Sequence, residues 1–163
     1  MLFRSVLVFE HVLLYNMKGT LDPSVRSVSL EGAAVRRAGS DVTLVTYGGS
    51  LPKTLAAAGE LATAGVSAEV IDLRSLRPLD IGTLLASVRK THRAVVVDEG
   101  WRTGSLAGEI VARIAEEALY DLDAPPERVC TAEAPIPYAR HLEEAALPQV
   151  PAIVAAARRT LGR

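Results

Sequence analysis

The chain has a single cysteine, Cys130, among its 163 residues. An intrachain disulfide is therefore excluded, a cysteine-based zinc site is not credible, and a reducing compartment is the expected one. Excess charge is also missing: 18 Lys and Arg stand against 19 Asp and Glu, for a formal net charge of −1. Neutralising a phosphate backbone takes a basic surface, so nucleic acid is not an expected partner. Long hydrophobic runs are absent, none approaching the roughly 20 apolar residues of a membrane span. Val6-Leu7-Val8-Phe9 and Val12-Leu13-Leu14 follow Arg4, but Glu10 and His11 interrupt them, and Asn16 with Lys18 ends them. Neither a membrane anchor nor a signal peptide is expected, and the chain is read as cytoplasmic. What the sequence does hold is apolar material, 49% hydrophobic against 23% charged. That suffices for one packed core and argues against bulk disorder.

The dominant pattern is strand then helix. Val42-Thr43-Leu44-Val45-Thr46-Tyr47 is β-branched and apolar between Gly39-Ser40-Asp41 and Gly48-Gly49, and predicts a strand. Leu51, Leu55, Ala58 and Ala62 follow at helical spacing, with Ser50 expected as N-cap, Pro52 in the first turn and Gly65 closing the helix. Residues 68–73 predict a second strand, and Pro78 with Asp80 opens a helix facing inward through Ile81, Leu84, Leu85 and Val88. Residues 94–98 are continuously apolar up to Asp98, as in a strand buried on both faces. A helix carrying Leu106, Ile110, Val111 and Ile114, a short strand at Arg128-Val129-Cys130 and a last helix from near Pro151 complete the body. Such alternation implies an α/β fold, a three-layer α/β/α sandwich on a mostly parallel open sheet, over about residues 39–163.

The first 35 or so residues break this rhythm. Residues 6–15 read as a buried strand, 17–27 as turn-rich, and 28–37 as short and mixed. An unpaired apolar strand needs a cover, so a homodimer, or a neighbouring copy packed on this segment, is expected.

Asp98-Glu99-Gly100-Trp101-Arg102-Thr103-Gly104-Ser105 is the stretch richest in chemistry. It follows the most buried strand, where open α/β sheets place ligands, and it runs into a helix capped by Thr103 or Ser105. Anion binding by Arg102 and partner recognition by Trp101 stand beside a structural alternative, in which Asp98 and Glu99 brace Arg102 while Trp101 closes the core. Trp and Arg are frequent interface anchors. Tyr47-Gly48-Gly49-Ser50 joins strand to helix without matching a phosphate-binding fingerprint. Both loops are expected on one edge of the sheet. His92 and His141 read as exposed loop residues. Glu10 and His11, as neighbours in a strand, point to opposite faces and cannot serve one substrate atom. Cys130 reads as a small core residue. Ala134-Pro135-Ile136-Pro137-Tyr138-Ala139 reads as a rigid connector. No complete catalytic constellation and no metal-ligand cluster emerges.

Several motifs in order carry a resemblance: Glu10-His11-Val12-Leu13-Leu14-Tyr15-Asn16-Met17-Lys18-Gly19, residues 39–48, residues 70–80, Val97-Asp98-Glu99-Gly100-Trp101-Arg102-Thr103-Gly104, and Pro135-Ile136-Pro137-Tyr138-Ala139. From about Val6 to Leu161 the chain resembles the beta subunit of thiamine-diphosphate-dependent 2-oxo acid dehydrogenases, the decarboxylating component of pyruvate, acetoin and branched-chain complexes. The resemblance implies two units: residues 1–27, the last strand and exit linker of a thiamine pyrimidine-binding domain, and residues 28–163, a transketolase C-terminal-like assembly domain. The cofactor-activating glutamate is then expected upstream, and Glu10 is not it. The full enzyme is expected to use thiamine diphosphate and Mg, and to assemble with an alpha subunit and a lipoyl acyltransferase core. For this chain alone the expectation is no catalytic, cofactor or metal residue, with Trp101, Arg102, Asp98 and Glu99 as interface or structural residues. A stand-alone interaction module that has lost enzyme function is the alternative.

Overall fold

A computed structural model describes residues 5, 7–20, 22–27, 29 and 32–162. Val6 and Val28, the first residues of two of the segments read above, lie outside the described residues. Five strands form one sheet: β1 (Ala34–Arg37), β2 (Val42–Thr46), β3 (Ala68–Asp72), β4 (Ala94–Trp101) and β5 (Glu127–Thr131). Their order is β1-β3-β2-β4-β5. Every neighbouring pair is parallel except β1 on β3, so the sheet is mostly parallel, as the alternation predicts.

Among the described residues, α1 (Ser50–Thr63), α2 (Ile81–Thr91), α3 (Leu106–Ala118) and, after the short exposed α4 (Arg140–Ala146), α5 (Val150–Thr160) are the α-helices, and α1, α2, α3 and α5 pack on the sheet. Because side chains alternate across a strand, the inner strands β2, β3 and β4 feed two cores. Val42, Leu44, Val70, Val95 and Val97 pack with Ala57, Ala58 and Leu61 of α1 and Ile153 and Ala157 of α5. Val45, Ile71 and Val96 pack on the other face with Leu84 and Val88 of α2 and Ile110 and Ile114 of α3. These are the three layers expected. No described helix is long and apolar enough to cross a membrane.

Local chemistry sets the ends. Asp80 caps α2, accepting from the Thr83 amide at 3.1 Å, and also takes the Ala33 amide at 2.9 Å, which ties the incoming chain to the body. The cap of α1 is Gly49 rather than the expected Ser50, which is the first helical residue.

Three expectations change. Residues 7–15 form no strand: Leu7, Val8 and Phe9 are 80%, 76% and 87% exposed, and Val12–Asn16 is a 3-10 turn. A strand forms only against a partner edge, and no described strand pairs with this segment. Within the mixed stretch, Ala34–Arg37 adds an antiparallel edge strand. His141 lies in helix α4 rather than a loop, although it is exposed as expected. The short α4 was hidden behind two prolines, and its Arg140–Glu144 pair at 2.8 Å, four residues apart, was its only local signal.

Candidate functional site

The chain leaves β2 through α1 to β3 on one side, while β4 lies on the other. The carboxyl ends of β2 and β4 therefore flank a switch point, the usual place for function in an open α/β sheet. The loops after these strands share that edge, as expected, and are bonded to each other. The Tyr47 hydroxyl donates to Asp98 Oδ1 at 2.7 Å. The same oxygen accepts the Gly100 amide at 2.7 Å, and Oδ2 accepts the Ala107 amide at 2.9 Å, in the first turn of α3. Asp98 is only 1% exposed. Burial, followed by the Asp98 hydrogen bond and charge, pushes the Tyr47 phenol far above its ordinary range. Asp98 thus pins two loops and a helix start, and faces the interior rather than solvent.

Glu99 serves a different element. Its carboxylate meets His11 Nε2 at 3.1 Å, and its carbonyl accepts the Thr131 hydroxyl at 2.7 Å. His11 rests against the α1 turn so closely that a Cβ on Gly49 would lie 2.4 Å from Nε2. Among the described contacts of residues 7–20, this pair is the polar link to the body. Glu10 instead receives the Tyr15 hydroxyl, so Glu10 and His11 do act separately, though not because they alternate along a strand. Gly49→Ala is accordingly expected to expel the imidazole. Losing one such hydrogen bond costs about 1 kcal/mol, so limited proteolysis within residues 7–20 is expected to speed up about fivefold. His11→Ala is expected to match it, and unchanged cleavage in both variants would refute the contact.

Arg102 departs from expectation. Neither Asp98 nor Glu99 holds it, because those carboxylates are occupied as just described. Its Nη1 donates to the Arg128 carbonyl at 3.2 Å, and Arg128 Nη1 returns the bond to the Arg102 carbonyl at 2.9 Å. Trp101, the last residue of β4, pairs in register with Thr131 and is 49% exposed, so it does not close the core. Thr103 does not cap α3. Its amide and hydroxyl both donate to Glu133, at 2.8 and 2.6 Å, and keep that carboxyl below its usual range. Sequence reasoning missed Glu133 and Arg128 because their partners lie 26–30 residues away. Cys130 is half-buried, and its thiol is raised chiefly by burial, which makes it a poor nucleophile.

Among the described residues, no group of three or more His, Cys, Asp or Glu is placed to hold a metal ion. The buried carboxylate Asp98 is fully engaged, and Glu99 is taken by His11. Neither Asp98 nor Glu99 is therefore a free carboxylate for the metal or the pyrimidine of thiamine diphosphate with its Mg.

A family model described as "Transketolase, C-terminal domain" matches residues 31–153. The mitochondrial pyruvate dehydrogenase E1 component subunit beta-1 of Arabidopsis thaliana is 45% identical over 163 residues, covering 97% of this chain and 45% of that protein. The acetoin:2,6-dichlorophenolindophenol oxidoreductase subunit beta of Cupriavidus necator is 40% identical, covering 96% of this chain and 46% of that protein. A solved structure described as a split gene transketolase, inactive beta4 tetramer, superposes with a TM-score of 0.74 at 28% identity, over 89% of this chain and 46% of that one. The chain spans about half the length of the curated relatives it matches.

Proposed function

Because the chain belongs to the transketolase C-terminal domain family, we propose that it is the assembly domain of the beta subunit of a 2-oxo acid dehydrogenase, inactive by itself. Similarity to E1 beta subunits along 97% of the chain supports this. The observation that carries it is the state of the β2–β4 edge, where Asp98 and Glu99 are consumed in bracing rather than held for a substrate. Residues 1–27 belong to the end of a preceding thiamine-binding unit and residues 28–163 to the assembly domain. In the complete enzyme the partners are a second beta subunit, an alpha subunit and a lipoyl acyltransferase core, with thiamine diphosphate and Mg held outside this domain. Trp101 belongs to the association surface, in keeping with its exposure at the end of β4.

The test is direct. The purified chain with thiamine diphosphate and Mg²⁺ is expected to turn over no pyruvate, and activity is expected only when the thiamine-binding portion and an alpha subunit are supplied. Turnover by the chain alone would overturn the proposal. Light scattering is expected to show a dimer. Because the Trp101 ring is half exposed, Trp101→Ala is expected to weaken association at least tenfold while costing only about 1–2 kcal/mol of fold stability, well below the cost for a fully buried ring. An intact dimer with a much larger stability loss would assign Trp101 to internal packing instead.

A further inference from the structure

A groove of about 590 Å³ lies between β5 and α5, beyond the edge just described. Val129, Ala152 and Ala155 give it apolar lining, and Arg102, Arg128 and Arg159 stand around it. The three cations differ in one respect. Arg159 is neutralised by Glu127, with both contacts at 3.1 Å. Arg102 and Arg128 are anchored on each other's carbonyl oxygens, and neither is in an ion pair with a described carboxylate. The nearby acids make their hydrogen bonds elsewhere, Glu127 with Arg159 and Glu133, which also lines the groove, with Thr103, while the Arg102 charge helps to lower both carboxyls.

This is an unusual use of two arginines. A carbonyl fixes the direction of a guanidinium but does not cancel its charge. The reciprocal bonds therefore fix the orientation of both guanidiniums beside the groove without spending either charge. Each guanidinium has five N–H donors in a planar fork, and the single bond to a carbonyl leaves most of them without a protein partner. Planar forks held in fixed orientation match a carboxylate or phosphate bidentately. The groove volume falls in the range of small-ligand sites, which combine apolar lining with a few convergent polar groups.

We propose that the Arg102–Arg128 clasp binds the anionic group, carboxylate or phosphate, of a small ligand seated in the β5–α5 groove. The proposal does not draw on the assembly function: it rests on two oriented guanidiniums without a direct ion pair and on the groove beside them.

The test is calorimetric titration of the whole chain with pyrophosphate and with citrate at fixed ionic strength, with chloride as the reference, alongside the Arg side-chain NMR resonances. Saturable binding of at least one anion is expected, with the Arg102 and Arg128 resonances shifting together. Pyrophosphate alone assigns the site to phosphate, and citrate alone to carboxylate. Arg102→Gln and Arg128→Gln are each expected to weaken binding at least tenfold. Arg113→Gln, at a cation paired with Glu117 on α3, is expected to bind as the parent chain does. Arg102 is exposed, so its variant decides the matter even if Arg128→Gln fails to fold. Lack of saturable binding by either anion, equal heats from chloride, or undiminished binding by Arg102→Gln would overturn the proposal.

Discussion

Asp98→Ala is expected to lower the stability of the fold by about 3–5 kcal/mol, read as a shifted urea midpoint with an unchanged slope. Three donors lose their acceptor at once: the Tyr47 hydroxyl and the Gly100 and Ala107 amides. Hydrogen bonds to a charged group are worth roughly 1.5–3 kcal/mol each, and an orphaned buried donor is penalised further. The contributions are coupled, so they do not add in full. Tyr47→Phe removes one of them and is expected to cost about 1–2 kcal/mol. A loss below about 1 kcal/mol for Asp98→Ala would contradict the bracing role.

The same pair sets a pH dependence. The folded Tyr47 phenol titrates above its ordinary value of 10.0, through burial first and then the Asp98 hydrogen bond. Above pH 10 the unfolded chain therefore sheds this proton while the folded chain keeps it. The stabilisation is complete below pH 10 and is lost as pH rises toward the folded value, by up to about 1.4 kcal/mol per pH unit. Tyr47→Phe is expected to abolish that alkaline slope, which the difference between the two urea series measures.

Gly39→Ala is the second large effect. A Cβ at this position would lie 2.2 Å from the Ala68 carbonyl carbon and 2.3 Å from the Glu69 nitrogen. Both are backbone atoms at the start of β3, so no rotamer change relieves the clash. The close approach also carries a hydrogen bond from the Gly39 amide to Glu69 at 3.3 Å. Either the β1–β2 connection lifts from β3 or the sheet edge opens, at a cost of about 3 kcal/mol or more. Gly59→Ala is the control. Gly59 sits inside α1 with nothing within 4 Å of its Cβ position, and alanine there is expected to stabilise by about 0.5–1 kcal/mol. Equal stability of the two variants would show that the sheet edge yields freely at Gly39.

The N-terminal segment marks one limit of local reading. Its apolar residues are the composition of a strand, yet Leu7, Val8 and Phe9 are exposed, because strand formation depends on an edge to pair with. Arg102 marks another. The nearest carboxylates in sequence were its expected partners, but each was already bonded to a group 51 or 88 residues distant. Closing the core was one of two readings of Trp101, beside partner recognition, and its position at the last residue of β4 leaves it half exposed instead.

The layered α/β/α body with its mostly parallel sheet was determined by the sequence itself. Short β-branched apolar strands such as Val42–Thr46 and amphipathic helices such as Leu106–Ala118 are local patterns, and alternating them leaves few ways to bury both faces of the sheet. The Asp80 cap belongs to the same class, since its partner Thr83 is three residues away. Tertiary structure alone decided the pairing of Tyr47 with Asp98, His11 with Glu99, Arg102 with Arg128 and Thr103 with Glu133. The physical reason is the strand order β3-β2-β4-β5. It brings together strand ends far apart in the chain, and polar side chains there bond to whatever the sheet sets beside them rather than to their neighbours in sequence.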